Sequence, residues 1–183
     1  HKRENFAVGL SMYSSRILNY ALLNNENRKG WYTGSGMTYL YNGDLTQYSD
    51  GFWPTVDALR LAGTTTDGMS KKAHLSNKNW AGGVTIDKLY GTSGMEFEYP
   101  KSGLTGKKSW FMFDNEIVAL GTGITGISDV NIETIVENRK IREDFSNTLI
   151  VDGMIKPSIN GWSESMKGIR WAHLEGNVPG SDI

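Results

Sequence analysis

Apolar and polar residues alternate along much of this chain in short runs closed by turn formers, the period of half-buried strands rather than of helices. Phe6, Val8 and Leu10 open the pattern within Asn5 to Tyr20, and Tyr13, Ser15 and Ile17 continue it, which predicts a strand pair or one bent strand. Asn24-Asn25-Glu26-Asn27 breaks the run, since asparagine supports turns through its side chain. Trp31 to Tyr48 predicts a hairpin: WYTGSGMTYLY, a turn at Asn42-Gly43-Asp44, then LTQY. Asn-Gly between apolar runs is a strong hairpin signal, because both central residues of a type I′ turn need positive φ.

Ser49-Asp50-Gly51 followed by FWPTVDALRLAG departs from the alternation. Pro54 suits a first helical turn, and Val56, Leu59 and Ala62 fall roughly on one face, so one short helix is expected here. Further strands are predicted at Gly83 to Tyr90, Met95 to Tyr99, Lys107 to Phe113, Glu116 to Gly121, Asn131 to Lys140, Thr148 to Val151, Met154 to Ile155 and Ile169 to Leu174. KKSWFMFDNEIVALG is the clearest pair, with Asp114-Asn115 between two apolar runs. The expected fold is all-β, an antiparallel β-sandwich with one short helix, and no repeat, low-complexity segment or linker divides it.

At 183 residues the chain can bury a real core as one domain. Its 19 Lys and Arg against 20 Asp and Glu create no global field toward nucleic acid or an anionic membrane, so an anionic partner would be met locally. No apolar run approaches a membrane span and no charged-then-apolar leader opens the chain, which predicts a soluble protein. The lack of cysteine rules out disulfides and thiolate metal sites, and fits a cytosolic or an exported protein equally. His1 in place of Met, and an ending at Ser181-Asp182-Ile183 after a Pro179-Gly180 turn, suggest a piece of something longer.

Chemistry-bearing clusters are few. His1, His74 and His173 show no ligand spacing, and no cofactor is expected. Glu96 and Glu98 share a strand face, where a solvated surface outweighs a hydrolytic pair. Ser14-Ser15-Arg16 lacks a nucleophile elbow, so Arg16 is assigned a structural pairing ahead of a carboxylate fork. The doublets Lys71-Lys72, Lys107-Lys108 and Arg139-Lys140 read as ordinary surface, and the glycine-rich GSG at Gly34 to Gly36 and GTGITG at Gly121 to Gly126 as turns. Trp31, Tyr32, Tyr39, Tyr41, Tyr48, Phe52 and Trp53 crowd together; sugar rings stack on such side chains, but most are expected in the core.

Several long segments carry a resemblance: HKRENFAVGLSMYSSRILNYALLNNENRKGWYTGSGMTYLYNGDLTQYSDGFWPTVDALRLAGTTTD, KKSWFMFDNEIVALGTGI, ETIVENRK and HLEGNVPGSDI. End to end, the chain resembles the hyaluronate, chondroitin and xanthan lyase family of polysaccharide lyases, most of all the Gram-positive hyaluronate lyases. The resemblance implies that residues 1–183 are part of a central β supersandwich, and that a catalytic α/α toroid belongs to the parent chain outside these residues. It implies a secreted, extracellular enzyme that cleaves hyaluronan or chondroitin-type polysaccharide by β-elimination, with partners in neither nucleic acid nor membrane.

The family's Asn, His, Tyr and Arg chemistry sits in the toroid, so no catalytic residue is assigned here and the isolated chain is expected to be inactive. Asn42 of the Tyr-Asn-Gly-Asp turn is similar to the substrate-contacting Asn that the β domain supplies, and Tyr48, Trp53 and Arg60 are further candidates for the same rim. Asn42 either reaches a sugar acetamide or carboxylate, or serves only the turn. Departures from the family pattern are Gly34-Ser35-Gly36 for Gly-Asp-Gly and Leu61-Ala62-Gly63-Thr64-Thr65 for Leu-Pro-Gly-Thr-Thr, the missing proline being worth about 0.4–1 kcal/mol. A non-catalytic carbohydrate-binding module and a purely structural sandwich are the alternatives.

Overall fold

A computed structural model describes residues 1–127, 129–178 and 181–183; the expected Pro179-Gly180 turn lies outside them. The strands are β1 (Ala7–Met12), β2 (Ser35–Tyr41), β3 (Thr65–Thr66), β4 (Ala81–Ile86), β5 (Tyr90–Tyr99), β6 (Leu104–Met112), β7 (Ile117–Thr125), β8 (Glu133–Thr134), β9 (Leu149–Val151), β10 (Met154–Lys156) and β11 (Ala172–Leu174), with one helical turn, α1 (Phe52–Thr55). Pairing is antiparallel throughout: β4-β5-β6-β7 form a meander, β1 pairs β2, β3 pairs β8, and β10-β9-β11 form a small sheet.

The meander supplies the core because its two central strands alternate cleanly. Met95, Phe97 and Tyr99 of β5 and Leu104 and Trp110 of β6 point inward and meet Tyr13 and Tyr32, which complete the buried cluster. Gly106 has the same inward parity, and any Cβ there would meet the Phe97 ring at 2.7 Å. The outward positions of β5 carry Glu96 and Glu98, both near the Lys78 ammonium at 3.6 and 3.9 Å, as a charged outer face requires. The KKSWFMFDNEIVALG pair forms as expected, closing Met112 onto Ile117.

Several expectations need correction. Tyr13, Ser15 and Ile17 do not continue β1, because the chain bends where the Ser14 N–H reaches the Ile17 carbonyl at 3.0 Å. Leu45 to Tyr48 is a turn and not a strand, and β2 pairs with β1 instead. Neither Asn42 nor Gly43 has positive φ; the I′-like turns fall at Asp87-Lys88 (φ 53° and 57°) and Asp152-Gly153 (φ 47° and 84°). The first of these splits the strand expected over Gly83 to Tyr90.

The expected helix lasts one turn, since Val56 is already extended and Leu59 and Ala62 follow in irregular chain. Of Asn131 to Lys140 only Glu133–Thr134 joins a ladder. The backbone beyond is met by side chains, the Lys140 N–H by Gln47 Oε1 at 2.9 Å and the Lys140 carbonyl by the Gln47 and Asn177 amides. GTGITG runs through β7 rather than forming a turn, with Gly123 at φ 61° where the β6–β7 register shifts. Gly36 likewise lies within β2, at φ 92° under the Trp110 ring.

Lys108 is not ordinary surface. Strand parity puts it inward between Gly106 and Trp110, 6% exposed, where its ammonium donates to the Gly63 carbonyl. Burial pushes it down to about 7. The unfolded chain therefore holds a proton that the folded chain has lost between about pH 7 and the ordinary lysine range, so stability rises with pH across that window and the penalty is complete below it. Lys108→Met should flatten that rise and add on the order of 2 kcal/mol below it. Denaturant midpoints across a pH series check this; an unchanged slope would show the ammonium to be solvated in the fold.

Candidate functional site

The Tyr39 to Asp57 segment leaves β2 and stays at the surface as an irregular loop around α1. Asn42 begins it, its Oδ1 accepting the Asp44 N–H at 2.8 Å in an Asx turn. Asp44 is the hub of the loop. Its Oδ1 accepts the Thr46 N–H at 3.2 Å and the Thr46 hydroxyl at 2.7 Å, while Oδ2 accepts the Gln47 amide at 2.6 Å and the Asn177 amide at 2.7 Å.

Burial alone would raise the Asp44 carboxyl, but the hydrogen bonds from Gln47, Thr46 and Asn177 outweigh it and lower it to about 2. Lys140 holds the far side of the loop through the Thr46 and Ser49 carbonyls, at 2.7 and 3.2 Å.

This clamped loop and the end of β2 enclose a shallow cleft of about 240 Å³ lined by Leu40, Tyr41, Asn42, Asp44, Leu45, Tyr48 and Ser49. The Tyr48 hydroxyl accepts the Leu40 N–H at 3.0 Å, which fixes the ring and leaves its own proton to donate. Burial raises Tyr48, so the phenol is neutral at ordinary pH. Beside the cleft runs a continuous aromatic bank. Tyr41 and Tyr48 lie 5.3 Å apart, Tyr48 and Phe52 5.2 Å, and Phe52 and Trp53 5.1 Å, with Tyr39 touching Tyr41, Tyr48 and Trp53 at 6.0 to 6.4 Å.

The expectation that most of the crowded aromatics are core fails: only Tyr32 is fully buried, whereas Tyr41 and Trp53 are 52% and 48% exposed. Burial, with Tyr41 and Tyr48 beside it, pushes Tyr39 up to about 12.

Asn42 and Tyr48 thus line one cleft, and Trp53 stands on its aromatic bank. Arg60 is placed differently. Its guanidinium forks onto Glu133, Nε to Oε2 at 2.8 Å and Nη2 to Oε1 at 2.9 Å, tying the end of the loop to β8. Among the described residues Arg16 pairs with no acid; its Nη2 donates to the Ala81 carbonyl at 3.2 Å. A second concavity of about 250 Å³, on the outer face of β5 to β7, is lined by Lys78, Glu96, Thr105, Lys107 and Thr122 and offers no aromatic face.

Sequence reasoning missed Asp44, Gln47, Lys140 and Asn177 as the frame of the site. Asp44 and Asn177 are 133 positions apart, beyond any local pattern. Tyr39 and Tyr41, in contrast, share strand parity in β2, a signal that was present.

Chemically the cleft can bind but holds no ready base. Both Asp44 oxygens are occupied by donors and its carboxyl is strongly acidic, so it is poorly suited to take a proton. What it offers are a neutral amide, a phenol proton and apolar ring faces.

The architecture is that of an all-β antiparallel sandwich domain presenting a polar and aromatic surface cleft. The chain belongs to polysaccharide lyase family 8, whose super-sandwich domain matches residues 1–179. It is 47% identical over 184 residues to a xanthan lyase of Bacillus sp. (strain GL1), matching all of this chain and 20% of that protein. It is 40% identical to a hyaluronate lyase of Thermasporomyces composti, matching 96% of this chain and 23% of that protein.

Among solved structures, Paenibacillus xanthan lyase superposes with a TM-score of 0.86 at 56% identity, covering 97% of this chain and 17% of that one. Streptomyces coelicolor chondroitin AC lyase in complex with chondroitin sulphate superposes at 0.70 and 36%, covering 96% and 23%. The chain thus spans about a fifth of the length of the curated relatives it matches.

Asp44→Asn should cost about 1–3 kcal/mol, because it replaces charge-assisted acceptance with a neutral amide that cannot satisfy all the donors. The sign with pH follows from the lowered carboxyl: its contribution is complete above the ordinary value of 3.8 and lost as pH falls through about 2. Thermal or denaturant unfolding of both proteins between neutral and strongly acid pH checks this, the gap closing at the acid end.

Proposed function

We propose that this chain forms one wall of the substrate groove in a secreted polysaccharide lyase that cleaves hyaluronan or a chondroitin-type polymer by β-elimination. In such a reaction a base removes the proton beside the uronate carboxylate, an acid protonates the departing glycosidic oxygen, and an unsaturated sugar remains. Negative charge grows on the carboxylate in the transition state, so a preorganised donor beside it contributes to the rate. The observation that carries the proposal is the Asn42 amide on the wall of an open cleft: its oxygen is fixed by the Asp44 N–H, and among the described residues no group accepts from its Nδ2.

Tyr48 adds a phenol proton at the same wall, and Trp53, half exposed on the aromatic bank, offers a ring face for a sugar. Arg60 shapes the rim through its fork onto Glu133, and reaches an anionic sugar only with the part of its charge that Glu133 leaves unpaired. As the family resemblance implies, proton transfer is assigned to groups of the parent's α/α toroid, and a cleft without a ready base is consistent with that division. The work is extracellular, where such polymers occur. The chondroitin AC lyase complex, in a relative 36% identical over 96% of this chain, supports the substrate class.

In the parent protein, Asn42→Ala should lower kcat/KM by a factor of about 10 to 150, corresponding to one lost hydrogen bond to a charged group, and Trp53→Ala should act chiefly through KM. The isolated chain should give no ultraviolet-absorbing unsaturated product from hyaluronan or chondroitin. Unchanged kinetics in both variants would reduce the cleft to a structural feature, and turnover by the isolated chain would overturn the division of labour.

A further inference from the structure

Asn42-Gly43 is an Asn-Gly step in an exposed loop. Its geometry has three parts. The Asn42 side-chain oxygen accepts the Asp44 N–H at 2.8 Å, so a backbone donor already points at the atom that becomes an oxyanion if its carbonyl carbon is attacked. Among the described residues no group accepts the Gly43 N–H, which leaves that nitrogen uncommitted. Gly43 is exposed and has no Cβ, so no side chain at 43 hinders its own nitrogen; apart from its chain neighbours, the nearest atom to a Cβ placed there is Val178 Cγ1 at 3.8 Å.

We infer that Asn42-Gly43 is a site of spontaneous deamidation that the loop promotes, with the Asp44 N–H as the oxyanion donor. The Gly43 backbone nitrogen attacks Asn42 Cγ and forms a C–N bond; the Cγ–Nδ2 bond breaks, and ammonia leaves carrying the proton from the Gly43 nitrogen. The cyclic imide is then opened by water to aspartate or isoaspartate, with no change of oxidation state. The chemistry stands independently of the groove assignment. Its functional consequence rests on that assignment: a neutral amide becomes a carboxylate beside Asp44, and an anionic polymer is repelled from a wall that previously donated to it.

The chain contains an internal comparator. Asn160-Gly161 has the same dipeptide in an exposed turn, but among the described residues no donor reaches the Asn160 side-chain oxygen. Peptide mapping by mass spectrometry follows both sites in the intact protein held at mildly alkaline pH. Asn42 is expected to convert faster than Asn160, and to slow toward the Asn160 rate in denaturant, where the Asx turn is lost. Gly43→Ala should slow conversion at 42 several-fold while leaving Asn160 unchanged.

An Asn42 that converts no faster than Asn160, or that converts faster once unfolded, overturns the proposal. Loss of polysaccharide affinity in step with conversion at 42 extends the consequence to the groove; conversion without such loss separates the chemistry, which stands, from the groove assignment, which then fails.

Discussion

The candidate site exists because one carboxylate gathers donors from two distant parts of the chain. The segment after β2 has no ladder to satisfy its polar groups, and an unordered loop of this length would carry a large conformational entropy. Asp44 solves both problems at once. It takes the Thr46 backbone and hydroxyl and the Gln47 amide from its own loop, and the Asn177 amide from near the end of the chain. Gln47 and Asn177 then share the Lys140 carbonyl, and Lys140 returns to the loop carbonyls, so the polar frame closes on itself. Hydrogen bonds to an ionised acceptor are the strong ones, and their number is recorded in how far the carboxyl is lowered.

The aromatic bank follows from that frame. Strand parity aims Tyr39 and Tyr41 to one side of β2, and the clamped loop brings Tyr48, Phe52 and Trp53 back over them. Held by the loop, Tyr41 and Trp53 keep about half their surface in water. The meander below is organised by simpler alternation, and its one costly feature has the same origin. The period of β6 places Lys108 among Leu104, Gly106 and Trp110, and a cation there can be neutralised only by losing its proton or partly satisfied by the Gly63 carbonyl.

What could be read from the sequence divides along the same line. KKSWFMFDNEIVALG was legible because both strands and their turn are adjacent, and Met95, Phe97 and Tyr99 alternate as a half-buried strand must. Long resemblance carried the family and the β-rich fold, and it directed attention to Asn42. The local signal at Asn42-Gly43 pointed to the wrong turn. Positive φ is permitted there but not required, and the Asx turn to Asp44 satisfies the backbone with ordinary φ. Asp87-Lys88 makes a left-handed turn with a weaker sequence signal, because the register of β4 on β5 demands it. The buried Lys108 was recoverable from parity, whereas the Asn177 and Lys140 supports were not, being visible only once the chain has folded.

On the proposed reading, in which this wall faces an acidic polymer, a neutral amide suits the position better than either charge. A carboxylate in the place of Asn42 would repel uronates and would sit beside Asp44, whose own charge is already needed by the loop. A lysine or arginine would bind the ground state strongly, but in this loop it would compete for Asp44 and open the frame that positions it. The amide avoids both: its oxygen joins the frame through the Asp44 N–H and its nitrogen faces outward without a net charge. The Asp44 N–H that fixes the amide oxygen for the proposed recognition is also the donor invoked for the proposed deamidation, so both readings depend on the one Asx turn.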